Sequence, residues 1–238
     1  MAWRWRNILS ATGDRRGHRG ASRALPRPRF LTTIVVSDGS ELKARLRAEG
    51  LDGDDIVLKY CWPRYAPPPG SGIRAIAKSE NLVLQFERLI EMHRVAPSSF
   101  PMPVATVKSD DGGFVGYILE YVEGNTLRSL LASGMLDEAG RQMDIVEATI
   151  AKLHARSMPH GDINPSNIIA ADDGRTLLID PVANLGPGTR LQDELCIAEI
   201  RRQIGEASSQ ADLPRDEPPA GSTRRHGSGT GASRPLLR

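Results

Sequence analysis

The segment HGDINPSNIIAADDGRTLLIDP (160–181) constrains this 238-residue chain more than any other. It opens on a polar loop in which Pro165 bars a continuous helix. NIIAA, the turn DDG and TLLID then read as a short hairpin. A hairpin folds back on itself, so its first and last residues approach in space. Asn167 and Asp180, thirteen positions apart, would thus present two oxygen ligands side by side. A hard divalent cation such as magnesium takes oxygen ligands, with phosphate oxygens completing its shell. Asp162, one loop turn earlier, could accept a hydroxyl proton or orient an acceptor. The competing reading is that all three are turn formers, because Asp and Asn favour loops.

The flanking sequence supplies elements for this segment to dock on. FLTTIVVSDG (30–39) is β-branched and ends in a turn signal, so it predicts a strand. ELKARLRAEG (41–50) fits a strand or a short helix, and the alternation of Leu42, Ala44 and Leu46 favours a half-buried strand. IVLKYCW follows the Gly53-Asp54-Asp55 turn, and the three runs together read as an antiparallel meander. PRYAPPPGSG (63–72), with four prolines, is a loop. Ser79 can cap a helix to about Arg94, with Leu82, Val83, Phe86, Leu89 and Ile90 at helical spacing. VATVK (104–108) and FVGYILEYV (114–122) form a hairpin, TLRSLLASG a short helix, Asp137–His154 a longer one, and 190–203 a last helix.

This order resembles the protein-kinase-like superfamily, whose catalytic loop carries an Asp, an Asn five positions on, and a metal-binding Asp at the end of a hairpin. Asp162, Asn167 and Asp180 occupy those three places. The resemblance covers about residues 31–204. It implies an α+β, bilobal fold: an antiparallel β N-lobe (about 30–121) with one helix, and a short, mainly α C-lobe (about 125–204). It implies an ATP- and magnesium-dependent kinase that moves the γ-phosphoryl group to a hydroxyl of a protein Ser/Thr or a small molecule. Lys59, in IVLK, would neutralise the α- and β-phosphates. Glu87 would be its ion-pair partner, chosen over Glu80 and Glu91 because it shares a helical face with Val83 and Ile90. Backbone groups near Glu120 and Val122, in YILEYVEGNTL, would bind adenine. Gly39 and Ser40 would lie in the phosphate loop. Asp193, in RLQDELCIAEIRR, would brace the catalytic loop, and His160 would hold that loop by hydrogen bonds.

Departures narrow the resemblance. Gly161 stands where protein kinases carry the Arg that pairs with a phosphorylated activation loop. Only twelve residues separate Asp180 from Asp193, so control by such a loop is not expected. The HGD spelling is similar to aminoglycoside phosphotransferases, which add a helical acceptor-binding subdomain after the position of Asp180. The compactness looks instead like the minimal kinase of the KEOPS tRNA-modification complex, or the lipopolysaccharide-core sugar kinases. The alternative reading is a catalytically inactive pseudokinase or a truncated kinase-like binding module.

Composition bounds the rest. Two cysteines, Cys61 and Cys196, exclude a disulfide scaffold and read as core or half-buried thiols in a reducing, cytoplasmic setting. No run of eighteen apolar residues offers a membrane span. Net charge is +2, too small to imply nucleic acid by itself. Residues 1–29 read as a disordered basic leader. Residues 1–30 hold eight Arg against one acid, Asp14, with Trp3 and Trp5 among them. A transit peptide or an RNA-binding arm are its other readings. Residues 205–238, rich in Gly, Ser, Pro and Arg, read as a disordered tail.

Overall fold

The structure, a computed structural model, describes residues 31–78, 81–186 and 188–211. It is α+β, with a mixed sheet, a smaller antiparallel sheet and several helices. The expectations for residues 1–29, for a cap at Ser79 and for residues 212–238 lie outside the described residues. The N-terminal half comprises β1 (Thr32–Val36), α1 (Leu42–Ala48), β2 (Ile56–Tyr60), β3 (Arg74–Ala77), α2 (Leu82–Val95), β4 (Pro103–Ser109) and β5 (Phe114–Glu120). The C-terminal half comprises β6 (Gly124–Thr126), α3 (Leu127–Ala132), α4 (Leu136–His154), β7 (Ile168–Ala171), β8 (Thr176–Leu178) and α5 (Thr189–Ala211).

The five strands of the first half run in the order β1-β4-β5-β2-β3. The β4–β5 hairpin is antiparallel, as expected. The antiparallel meander of the first three runs is not what forms. β1 pairs parallel with β4, and β2 pairs parallel with β3. The cause is the second run, which is helix α1 rather than a strand. Leu42 and Leu46 are spaced i, i+4, a spacing that one face of a helix satisfies as well as a strand does. Both are buried, whereas Ala44 is exposed. A helix between β1 and β2 frees them from pairing as neighbours, and β4 and β5 lie between them.

Each face of this sheet has its own core. Successive strand residues point to opposite faces. Leu58, Ile118 and Val107 join Leu42 and Leu46 of α1 on one side. Tyr117 and Leu119 join Leu82, Phe86 and Leu89 of α2 on the other. That second core continues through Met143, Val146 and Ile150 of α4 to Ile200 and Ile204 of α5. Apolar packing therefore unites the two halves. α5 runs to Ala211, so residues 205–211 belong to a helix rather than to the tail that composition implied. The Arg202–Glu206 ion pair, spaced i, i+4, and the hydroxyl of Ser209, which donates to Gly205 O, support this last stretch of helix.

The helical assignment of 42–48 has a direct consequence. Leu46→Ala should lower stability by about 3 kcal/mol, the scale of a large-to-small core change. Ala44→Ser should change it by less than about 0.5 kcal/mol, as exposed substitutions do. Denaturant unfolding of both variants measures this; comparable losses at both positions would mean that the two residues share a buried face, as in a strand.

Candidate functional site

Asp180 is the centre of the site. It follows β8, and its residue is buried although it carries a charge. Its Oδ1 accepts from Lys59 Nζ, and its Oδ2 lies 3.2 Å from Lys78 Nζ. Lys59 is the penultimate residue of β2 and is also buried, at 2% exposure. A buried carboxylate is tolerated only when paired, because desolvating an isolated charge is expensive. Asp180 also holds a left-handed backbone, φ 59°, uncommon for a residue with a Cβ. Such conformations cost of order 1–3 kcal/mol and cluster at functional sites.

The hairpin brings the backbone of Asn167 beside the residue that precedes Asp180. β7 and β8 pair antiparallel, with Ile168 opposite Leu178. The ladder extends by Ile179 N–H donating to Asn167 O at 3.0 Å. Val182 N–H donates to His160 O at 3.0 Å, so the chain on both sides of Asp180 is tied to the polar loop. Asn167 is buried, and its amide nitrogen donates to Asp162 Oδ2 at 2.8 Å and to Asp162 O at 3.0 Å. Asn164 Nδ2 donates to Asp162 Oδ1 at 3.0 Å. Two amides thus fix both oxygens of an exposed carboxylate. With its nitrogen committed to Asp162, Asn167 keeps its side-chain oxygen for another partner. Among the described residues no three His, Cys, Asp or Glu side chains group as a metal site. Asn167 and Asp180 are the residues that could hold a magnesium ion. These are oxygen donors of the kind magnesium takes, one neutral and one anionic, and a metal would displace a lysine from the Asp180 carboxylate.

A polar frame holds the loop from below. Asp193, on α5, is fully buried and accepts from His160 N–H and Gly161 N–H, both at 2.7 Å. His154 Nε2, at the end of α4, lies 3.0 Å from the same carboxylate. Gly161 has φ 86°, and a Cβ there would come within 2.2 Å of Val182 Cγ2. No side chain, least of all an arginine, fits without moving that segment. His160 is fully buried beside the Phe100 ring. Burial pushes its imidazole down to about 4, against the opposing pull of Asp193, Asp162 and Asp180, so the ring is neutral near pH 7.

A narrow, open cleft runs between the two halves. Val57, Leu119, Val122, Ile169 and Leu177 give it apolar walls, and Lys59 stands at its polar end. The chain segment 119–122 forms one side. Glu120 directs its carboxylate to Met102 N–H and to Arg175 Nη1, at 2.9 and 2.8 Å, and its own N–H donates to Met102 O at 3.0 Å, so of its groups only the carbonyl can serve a ligand. Tyr121 N–H is taken by Asp55 O at 2.7 Å, while among the described residues Val122 N–H has no backbone partner.

Three expected residues lie elsewhere. Glu87 is exposed on α2, and among the described residues no ion pair joins it to Lys59. The buried stripe of α2 is Leu82, Phe86, Leu89 and Met92, and Val83 is exposed. Choosing the stripe through Val83 and Ile90 rotated the helix away from its true inner face. Gln85 occupies that inner face instead. Its Nε2 donates to Pro181 O and its Oε1 accepts from Tyr117 O–H, each at 3.0 Å. Arg88, one turn on, donates to Pro159 O, so α2 holds both sides of the loop. Gly39 and Ser40 lead into α1, on the sheet face opposite Lys59. Gly39 N–H donates to Arg64 O at 3.1 Å, and a Cβ would meet Ala66 O at 2.0 Å. Its missing side chain serves backbone packing, not a phosphate loop. Sequence reasoning missed Lys78, Gln85 and Arg88. The one signal for Lys78 was its place at the end of IRAIAK, a run too short to register as a strand.

No family model matches the chain. It is 36% identical over 63 residues to a protein of Methanospirillum hungatei JF-1 named "Probable bifunctional tRNA threonylcarbamoyladenosine biosynthesis protein". The match covers 26% of this chain and 11% of that relative, so it reaches only a small part of the relative's length. Among the described residues no helix is long and apolar enough to cross a membrane.

The buried neutral His160 makes stability pH-dependent with a defined sign. Its folded pKa, about 4, lies below the value near 6.5 of an exposed histidine, so the unfolded chain binds the proton more tightly. The contribution is complete above about pH 6.5 and is lost as pH falls toward 4, to the extent of about 3 kcal/mol. Unfolding titrations across that window should show a shallower pH slope for His160→Gln than for the wild type. Parallel slopes would mean that other groups carry the dependence.

Proposed function

We propose that the chain is a protein-kinase-like phosphotransferase that moves the γ-phosphoryl group of ATP, with magnesium, to a hydroxyl acceptor. The observation that supports this reading is the pairing of Asp180 with Lys59, which lines an apolar cleft, beside a loop in which Asn167 holds Asp162 and accepts the Ile179 N–H. The partial likeness to a tRNA-modification protein agrees with the resemblance to the minimal kinase of the KEOPS complex. On this reading the cleft takes adenine between Val57, Leu119, Ile169 and Leu177, with backbone groups at Glu120 and Val122 as hydrogen-bonding partners.

Lys59 neutralises phosphate oxygens, and Asn167 and Asp180 hold the metal. Magnesium, when bound, supplies charge stabilisation to the phosphates. Asp162, fixed by Asn164 and Asn167, orients the acceptor hydroxyl and takes its proton late. Phosphoryl transfer depends mostly on positioning and on electrostatic stabilisation, which these residues provide. α2 enters through Gln85 and Arg88 rather than through Glu87. The displaced Gly39 and Ser40 favour the second reading, a module that binds nucleotide without turning it over.

The two aspartates separate the readings. Asp162→Ala should keep nucleotide binding within about threefold and lower turnover at least about a hundredfold, the scale of one lost catalytic contact. Asp180→Ala should lower both. Calorimetry with magnesium–ATP and a coupled ADP-release assay measure these effects. Full turnover in either variant would refute the assignment, and binding without turnover in the wild type would favour the binding module.

A further inference from the structure

We infer that Lys78 is a second phosphate-binding ammonium, working beside Lys59; the inference rests on the nucleotide reading above. Parallel pairing sets Lys59 of β2 level with Ile76 of β3. Side chains alternate along a strand, so two residues past Ile76 the chain returns to the face of Lys59. The ladder continues that far, because Lys78 N–H donates to Tyr60 O at 2.8 Å. The two lysines therefore rise from neighbouring strands on one face. They end on the two oxygens of one carboxylate, Lys59 on Oδ1 and Lys78 on Oδ2.

Their environments differ in a way that assigns their roles. The Lys59 side chain is 2% exposed, whereas that of Lys78 is 29% exposed. Lys59 is fixed by its surroundings. Lys78 reaches Asp180 from solvent on a four-carbon stem with three rotatable donors. Such an ammonium can exchange one oxygen partner for another at little cost. A nonbridging phosphate oxygen arriving beside Asp180 is the natural alternative partner, because it carries the same charge and accepts the same hydrogen bond. The hydrogen bond from Lys78 N–H to Tyr60 O ties its position to the β2–β3 pairing.

The test uses the full chain with ATP, ADP and adenosine as probes, with magnesium and in EDTA. Lys78→Met keeps the stem and removes the charge. It should lower the ATP-to-adenosine affinity ratio about tenfold, the scale of one hydrogen bond to a charged group, in both conditions. Lys78→Arg should restore the ratio to within about threefold. Melting temperatures confirm that each variant folds. Equal losses for all three ligands, no loss, or no recovery in the arginine variant would overturn the inference. A wild type that binds none of the three would overturn the nucleotide reading itself, a result distinguishable from failure at Lys78.

Discussion

The buried pairing of Lys59 with Asp180 is the constraint on which the rest depends. One partner comes from β2 in the first half of the chain, the other from the strand end after β8, and they lie 121 residues apart. Neither charge is stable alone at that depth, and breaking such a pair by removing one partner typically costs about 3–5 kcal/mol. The pair therefore fixes how the two halves meet. It also fixes the cleft between them, with apolar walls at one end and charge at the other. Gln85 and Arg88 repeat the same join on either side, each from α2 to a backbone carbonyl of the polar loop or of the segment after Asp180.

Beneath that join the loop is held by its backbone. Asp193 accepts two consecutive amides, and Gly161 adopts a conformation and a clearance that no other residue satisfies. The glycine is a packing requirement set by Val182. It removes the site at which an arginine could answer to a phosphorylated loop. The span from Asp180 to Asp193 is only twelve residues long.

Much of the site was legible in the sequence because it lies in one contiguous segment whose hairpin geometry is set locally. The β7–β8 hairpin that carries Asn167 and Asp180 needed only a turn signal and a register, whereas Asp193 was expected only from the family resemblance. What was not legible depended on phase or on distant pairing. Leu42 and Leu46 fit two periods, and the wrong one turned α1 into a strand and the sheet into a meander. One rotation of α2 exchanged Gln85 for Glu87. Gly39 looked like a phosphate loop until its partner, Ala66, was seen to demand a bare backbone. Lys78 was hidden because a four-residue strand, β3, gives little periodic signal, and its partner lies 102 residues away.

The most direct measurement is transfer of radiolabelled γ-phosphate from magnesium–ATP by the purified chain. It is run alone and with cell extract, beside the Asp180→Ala variant. The account expects label in a protein or a small molecule with the wild type, and none with the variant. Absence of transfer from a folded, nucleotide-binding wild type would contradict it, as would equal labelling by the variant.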